Sequence, residues 1–96
     1  MVYEWDPHKA AVNLKKHGVS FEEAAGVFLD PLAITFDDPD HSLDERRFVT
    51  IGHTRRRRLV VVAHRDVDNS RVRIISARKA TRGERHGYQE TDDPAR

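Results

Sequence analysis

Ninety-six residues, 34% of them charged and 38% hydrophobic, suffice for one domain with one modest core and are too few for two. The chain has no cysteine, which excludes disulfides and thiolate chemistry, and its longest apolar run, Leu59-Val60-Val61-Val62-Ala63, is far too short to span a bilayer. The net charge of +1 conceals a division: residues 1–45 hold −7, residues 46–89 hold +10 and residues 90–96 hold −2. A stretch that basic attracts polyanions, of which nucleic acid is the commonest in a cytosol. No basic start followed by an apolar stretch opens the chain. Neither a leader nor a membrane contact is therefore expected, and the expected compartment is the cytoplasm.

In chain order, Val2 to Trp5 reads as a short strand. Asp6-Pro7 is a helix start, with Asp as N-cap and Pro in the first turn. The helix should run to His17 and stop at Gly18, with Ala10, Ala11 and Leu14 as its apolar face. Ser20 and Glu23 form a capping box for a second helix, whose apolar face is Phe21, Ala24, Ala25 and Phe28 and whose end lies near Asp30-Pro31. Strands follow. Leu32 to Phe36 is one, and a turn and loop cover Asp37 to Asp44. Arg46 to Thr54 and Leu59 to Arg65 flank four arginines and suggest a hairpin with a basic tip. Arg71 to Ala77 is the last strand, after the turn Asp68-Asn69-Ser70. Lys79 to Gln89 is compatible with a helix that Gly83 and Gly87 weaken. The expected fold is α+β: two N-terminal helices packed on one face of a three- to four-stranded antiparallel meander sheet, then a C-terminal helix. Residues 1–90 form the domain and 91–96 a flexible tail.

Strand alternation places Arg47, Val49, Ile51 and His53 on one face, as it does Val60, Val62 and His64, and Val72, Ile74, Ser76 and Arg78. Their Val and Ile content suggests that these faces lie under the helices. In a meander Arg47 starts one strand and Arg78 ends a parallel one, so their backbones should lie roughly 20–25 Å apart. His53, the Arg55–Arg58 tip and Arg78 then gather at one end of the sheet, and Arg47, His64 and Arg71 at the other.

The six histidines show no His-x-His or His-x-x-x-His spacing, so no metal site is expected. A phosphate-cradling Gly-rich loop and a nucleophile elbow are both missing from the sequence. Metal-free RNA cleavage fits better. It needs a base for the ribose 2′-OH, an acid for the leaving 5′-oxygen and cations around the phosphate. Arg78, Arg82, Arg85, His86 and Tyr88 lie within eleven residues, with the three arginines near one helix face if the helix starts that early. Structural roles compete for the same residues. Arg55 to Arg58 could be a solvated tip, His17 a cation at a helix end, and His53 and His64 plain strand residues. Tyr88 could be a core-edge aromatic. Arg47 and Arg78 could pair with Asp30, Asp37 or Asp38.

Several segments together resemble the BrnT toxins. They are Tyr3-Glu4-Trp5-Asp6-Pro7, Lys16-His17-Gly18-Val19-Ser20-Phe21-Glu22-Glu23-Ala24, Phe28-Leu29-Asp30-Pro31, Glu45-Arg46-Arg47-Phe48, Ile51-Gly52, Ile74-Ile75-Ser76-Ala77-Arg78-Lys79-Ala80, and Glu84-Arg85 with Tyr88. The four-arginine tip and the two glycines of the last helix depart from the family's commoner pattern. The resemblance implies a type II toxin–antitoxin ribonuclease of RelE-like fold that needs no cofactor. Its partner would be a BrnA-type ribbon-helix-helix antitoxin, through which the pair would repress its operon at operator DNA. It implies catalytic roles for Arg78, Tyr88 and Arg47, with His17 beside them. Lys16, His53, Arg58, His64, Lys79, Arg82, Arg85 and His86 are then the expected RNA contacts. A non-catalytic nucleic-acid-binding or protein-interaction module is the rival reading.

Overall fold

The computed structural model describes residues 1–38 and 46–92. Most of the expected loop through Asp44 and most of the expected tail lie outside them. The elements run β1 (Val2–Glu4), α1 (Pro7–His17), α2 (Phe21–Ala25), a 3₁₀ turn (Gly26–Leu29), β2 (Ile34–Asp37), β3 (Arg47–His53), β4 (Leu59–Asp68), β5 (Arg71–Lys79) and α3 (Arg82–Asp92). Asp6 caps α1 by accepting from the amides of His8 (2.8 Å) and Lys9 (3.3 Å), and Gly18 ends it in the left-handed conformation, φ 71°. Only half of the expected capping box forms at α2. Ser20 Oγ accepts from the Glu23 amide at 3.0 Å, but the Glu23 carboxylate turns away to Thr54 and Arg58.

The class is α+β, but the sheet has five strands and is mixed, in the order β1-β5-β4-β3-β2. The meander of β2 to β5 is antiparallel, as expected, and leaves the outer edge of β5 open. β1 closes part of that edge in parallel, pairing Val2, Tyr3 and Glu4 with Arg71, Val72 and Arg73. Glu4 secures the pairing by accepting from Arg71 (3.4 Å) and Arg73 (3.2 Å).

The helices do not share one face. Val19, Phe21, Ala24 and Val27 from the N-terminal half pack on Val60, Val62, Ile74 and Ala77. On the opposite face Tyr88 of α3 packs on Ile51, Leu59 and Val61, with Ile34, Val49 and Ala80 beside them. Alternation thus held within β3, but its Val49/Ile51 face lies under α3 rather than under α1 and α2. In β5 alternation itself breaks. His64 pairs with Ile74 and Ala63 with Ser76, so Ile75 is an extra residue, a bulge. Val72 and Ile74 face the N-terminal helices, whereas beyond the bulge Ala77 does, and Arg78 moves to the α3 face beside Val61. The bulge also shortens the sheet path from Arg47 to Arg78, which the register puts at roughly 16 Å between backbones.

Past β1, a side chain takes over the edge of β5. The Asn13 amide donates to Ala77 O (2.9 Å) and Val19 O (2.9 Å) and accepts from Ala77 N–H (3.1 Å). Asn13 is itself buried, 7% exposed. Asn13→Ala strands three backbone polar groups, and a buried unsatisfied group costs about 1–3 kcal/mol. The variant should lose about 2–3 kcal/mol in urea denaturation, more than a surface Asn→Ala change.

Candidate active site

The 3₁₀ turn ends at Asp30, and Pro31 forbids its continuation. The Asp30 carboxylate then becomes a junction. Oδ1 accepts from the Leu32 amide at 2.9 Å. Oδ2 accepts from the His53 amide at 2.8 Å and from the Tyr88 hydroxyl at 2.7 Å. Burial, the largest single influence, pushes the Asp30 carboxyl up, but those three donors outweigh it and hold the group below the usual aspartate value. Tyr88 Oη also lies 3.2 Å from His53 Nδ1, with the rings edge to face. Tyr88 is 3% exposed, whereas the His53 side chain is 42% exposed. His53 opens onto a cleft of about 250 Å³ lined by Gly26, Leu29, Asp30, Thr54 and Arg55. Gly52 makes room for this cluster: a Cβ there would meet Val27 Cγ1 and Ala33 Cβ at 3.0 Å and Asp30 Oδ2 at 3.2 Å.

Beside the cleft is the β3–β4 hairpin. The Arg57 amide donates to Thr54 O (2.9 Å), the Thr54 amide donates to Arg58 O (2.9 Å), and Arg57 adopts φ 63°. This is a three-residue loop, a turn followed by a left-handed residue, where glycine is usual. Arg58 does not face solvent as an RNA contact. Its guanidinium binds the buried Glu23 carboxylate through two nitrogens and donates to Gly18 O at 2.9 Å. Arg56 stands 3.7 Å from Glu23, while Arg55 and Arg57 are exposed and form no ion pair among the described residues.

The other expected residues fall into distinct places. Arg78 binds the Glu84 carboxylate with both terminal nitrogens, each at 2.8 Å, so its fork is occupied. The partner is Glu84 and not Asp30, Asp37 or Asp38. Arg78 also cannot share a helix face with Arg82 and Arg85, because Thr81 and Glu84 form a reciprocal capping box that starts α3 at Arg82. Arg82, Arg85 and His86 are exposed on α3, opposite the inward pair Glu84 and Tyr88. Lys79 is exposed at the end of β5, level with Val60, and Lys16 is exposed near the end of α1. His17 is half-buried there, and its neighbour Gly18 touches Arg58.

His64 is not at the surface at all. It is 5% exposed, edge-on to Phe28 and stacked on Phe48, with Nε2 2.7 Å from Thr50 Oγ1. Burial pushes its pKa down to about 4, so it is a neutral packing residue and not an RNA contact. Arg47 begins β3 at the far end, in register with Arg65 and Arg73. The structure thus brings together His53 and Tyr88 of the expected set and adds Asp30. It does not bring Arg47, Arg78 and His17 to that cluster. Asp30 was overlooked as a site residue because a carboxylate at the end of a helical turn reads as a boundary. The spacing of Glu84 and Tyr88 at i, i+4 was the available clue that α3 turns one face inward.

With this geometry in place, the relatives are informative. The sequence model of a family described as "Ribonuclease toxin, BrnT, of type II toxin-antitoxin system" matches residues 5–84. The chain belongs to the BrnT family. The fold of this BrnT chain is similar to the crystal structure of the Brucella abortus ribonuclease toxin BrnT, with TM-score 0.67, 24% identity, and coverage of 85% of this chain and 100% of that one. Among curated proteins, none matches. No helix among the described residues is long and apolar enough to cross a membrane. Asp30 and His53 of this BrnT chain fall within the matched residues, and Tyr88 lies just beyond them.

The Arg78–Glu84 pair has a measurable signature. Glu84 is lowered from 4.5 to about 2, chiefly because Arg78 hydrogen-bonds it. A folded-state carboxyl held below its unfolded value contributes stability that is complete above about pH 4.5 and is lost as pH falls toward 2. Glu84→Gln should therefore be less stable than the parent at neutral pH, with the gap between their urea midpoints closing as the solution is acidified through that window.

Proposed function

We propose that this chain is the ribonuclease of a type II toxin–antitoxin pair and that it cuts RNA without a metal ion at the hairpin end of the sheet. One observation carries the reading. The exposed imidazole of His53 stands in a cleft lined by Arg55, with Arg57 exposed in the same hairpin loop, and no carboxylate among the described residues neutralises either cation. Several other arginines are occupied: Arg46 pairs with Asp37, Arg71 with Asp68 and Glu4, and Arg73 with Glu4. The unpaired cations at the hairpin act together with the exposed Lys79 and Lys16, and with Arg82 and Arg85 on α3. A phosphodiester drawn there meets Arg donors for its oxygens and an imidazole for proton transfer.

The family membership supports an antitoxin partner. We assign it to the BrnA type, a ribbon-helix-helix protein that covers this end, silences the toxin and carries the pair to operator DNA. Free toxin cuts RNA in the cytoplasm, halting translation and growth. Residues 1–90 act as the single functional domain.

Purified protein should cleave RNA in excess EDTA. His53→Ala should lower the rate at least about a hundredfold, within the range of a lost general base. The double variant Arg55→Ala/Arg57→Ala should bind RNA more weakly and flatten the salt dependence of log K by about 1.4, the share of two phosphate contacts on a single strand. Salt-dependent RNA binding with no cleavage product would convert the reading to that of a binding module.

A further inference from the structure

The proton inventory around Asp30 determines which nitrogen of His53 is available for chemistry. The ionised Asp30 carboxylate only accepts, and at Oδ2 it receives the Tyr88 hydroxyl at 2.7 Å. A tyrosine has one proton, and the charged acceptor at shorter range takes it. The 3.2 Å contact between Tyr88 Oη and His53 Nδ1 then closes only if the imidazole donates. A neutral imidazole has one N–H. With it on Nδ1, the lone pair sits on Nε2, at the other edge of a ring whose side chain is 42% exposed. Nε2 has no hydrogen-bond partner among the described residues.

We infer that Asp30 and Tyr88 form a positioning relay that holds His53 in the Nδ1–H tautomer, so that Nε2 is the general base for the ribose 2′-hydroxyl. The inference rests on the ribonuclease reading above. Nε2 takes the 2′-OH proton as the 2′-oxygen forms its bond to phosphorus. The P–O5′ bond breaks, and the departing 5′-oxygen takes a proton from water. The products are a 2′,3′-cyclic phosphate and a 5′-hydroxyl, and the imidazolium returns its proton to solvent. Tyr88 is then a positioning residue, since its buried hydroxyl is committed to Asp30. The His53 amide, donating to Asp30 Oδ2 at 2.8 Å, fixes the backbone that carries the ring. The arrangement follows a general pattern in which the bond at one imidazole nitrogen decides the state of the other.

Two measurements test this. In the ¹⁵N–¹H spectrum of the full chain at neutral pH, His53 should show its proton on Nδ1 and an unprotonated Nε2. A proton on Nε2 in the parent protein overturns the inference. Tyr88→Phe keeps the ring packed on Ile51, Leu59 and Val61 and removes only the relay. It should move the proton toward Nε2 and lower kcat at least about tenfold with KM within twofold. An unchanged tautomer in the folded variant overturns the relay. RNA fragments lacking 2′,3′-cyclic phosphate ends overturn the base assignment. Because the tautomer is read without RNA, an Nδ1–H imidazole in a protein that cleaves nothing would sink the ribonuclease reading while leaving the relay standing.

Discussion

The Asp30 carboxylate organises this molecule. It is 11% exposed and has no Lys or Arg within ion-pair distance among the described residues, so its charge is balanced mostly by neutral donors. Those donors come from three separate stretches: Leu32 entering β2, His53 ending β3 and Tyr88 in α3. A buried charge without such donors costs several kcal/mol. The three stretches are therefore held to one point by the same electrostatic requirement. Gly52 belongs to the same constraint, because any side chain there would press on the carboxylate. The cleft beside His53 exists because β3, the 3₁₀ turn and α3 meet at that oxygen.

Charge is redistributed by folding in a way the running totals along the chain do not show. The acidic half places Glu4 and Asp37 away from the hairpin, where they answer Arg71, Arg73 and Arg46. At the hairpin it contributes Glu23, which is consumed by Arg58. Part of the +10 stretch is therefore neutralised by pairing, while Arg55, Arg57, Lys79, Arg82 and Arg85 stay exposed.

Local signals were legible. Asp6-Pro7 and Gly18 bound α1, and the hairpin with its basic tip could be read from four arginines between two apolar runs. The sorting of basic residues into two ends agrees with the register, as His53 lies opposite Leu59 and Val61 opposite Arg78. What escaped depended on partners distant in the chain. A three-residue β1 carries no mark of its parallel partner 69 residues on. Nothing in Ile74-Ile75-Ser76 announces a bulge, yet that one residue turns Arg78 from one face to the other. The site was half legible: His53 and Tyr88 were both singled out, but which of them is buried and which meets solvent depends on packing that the sequence does not display. For Arg78 the expected partners were Asp30, Asp37 or Asp38, whereas its carboxylate is Glu84, on a helix that starts at Arg82 behind the Thr81 cap.

The side-chain amide of Asn13 has a consequence for behaviour in a crowded cell. A sheet whose border strand is left unzippered is a template on which other chains can polymerise. β1 protects only the first three residues of β5, and beyond them Asn13 occupies both backbone groups of Ala77, doing with one side chain what a sixth strand would otherwise do. A growing stack of strands finds no ladder to extend at that position. That border is thereby blunted by the chain itself, without a partner to cover it.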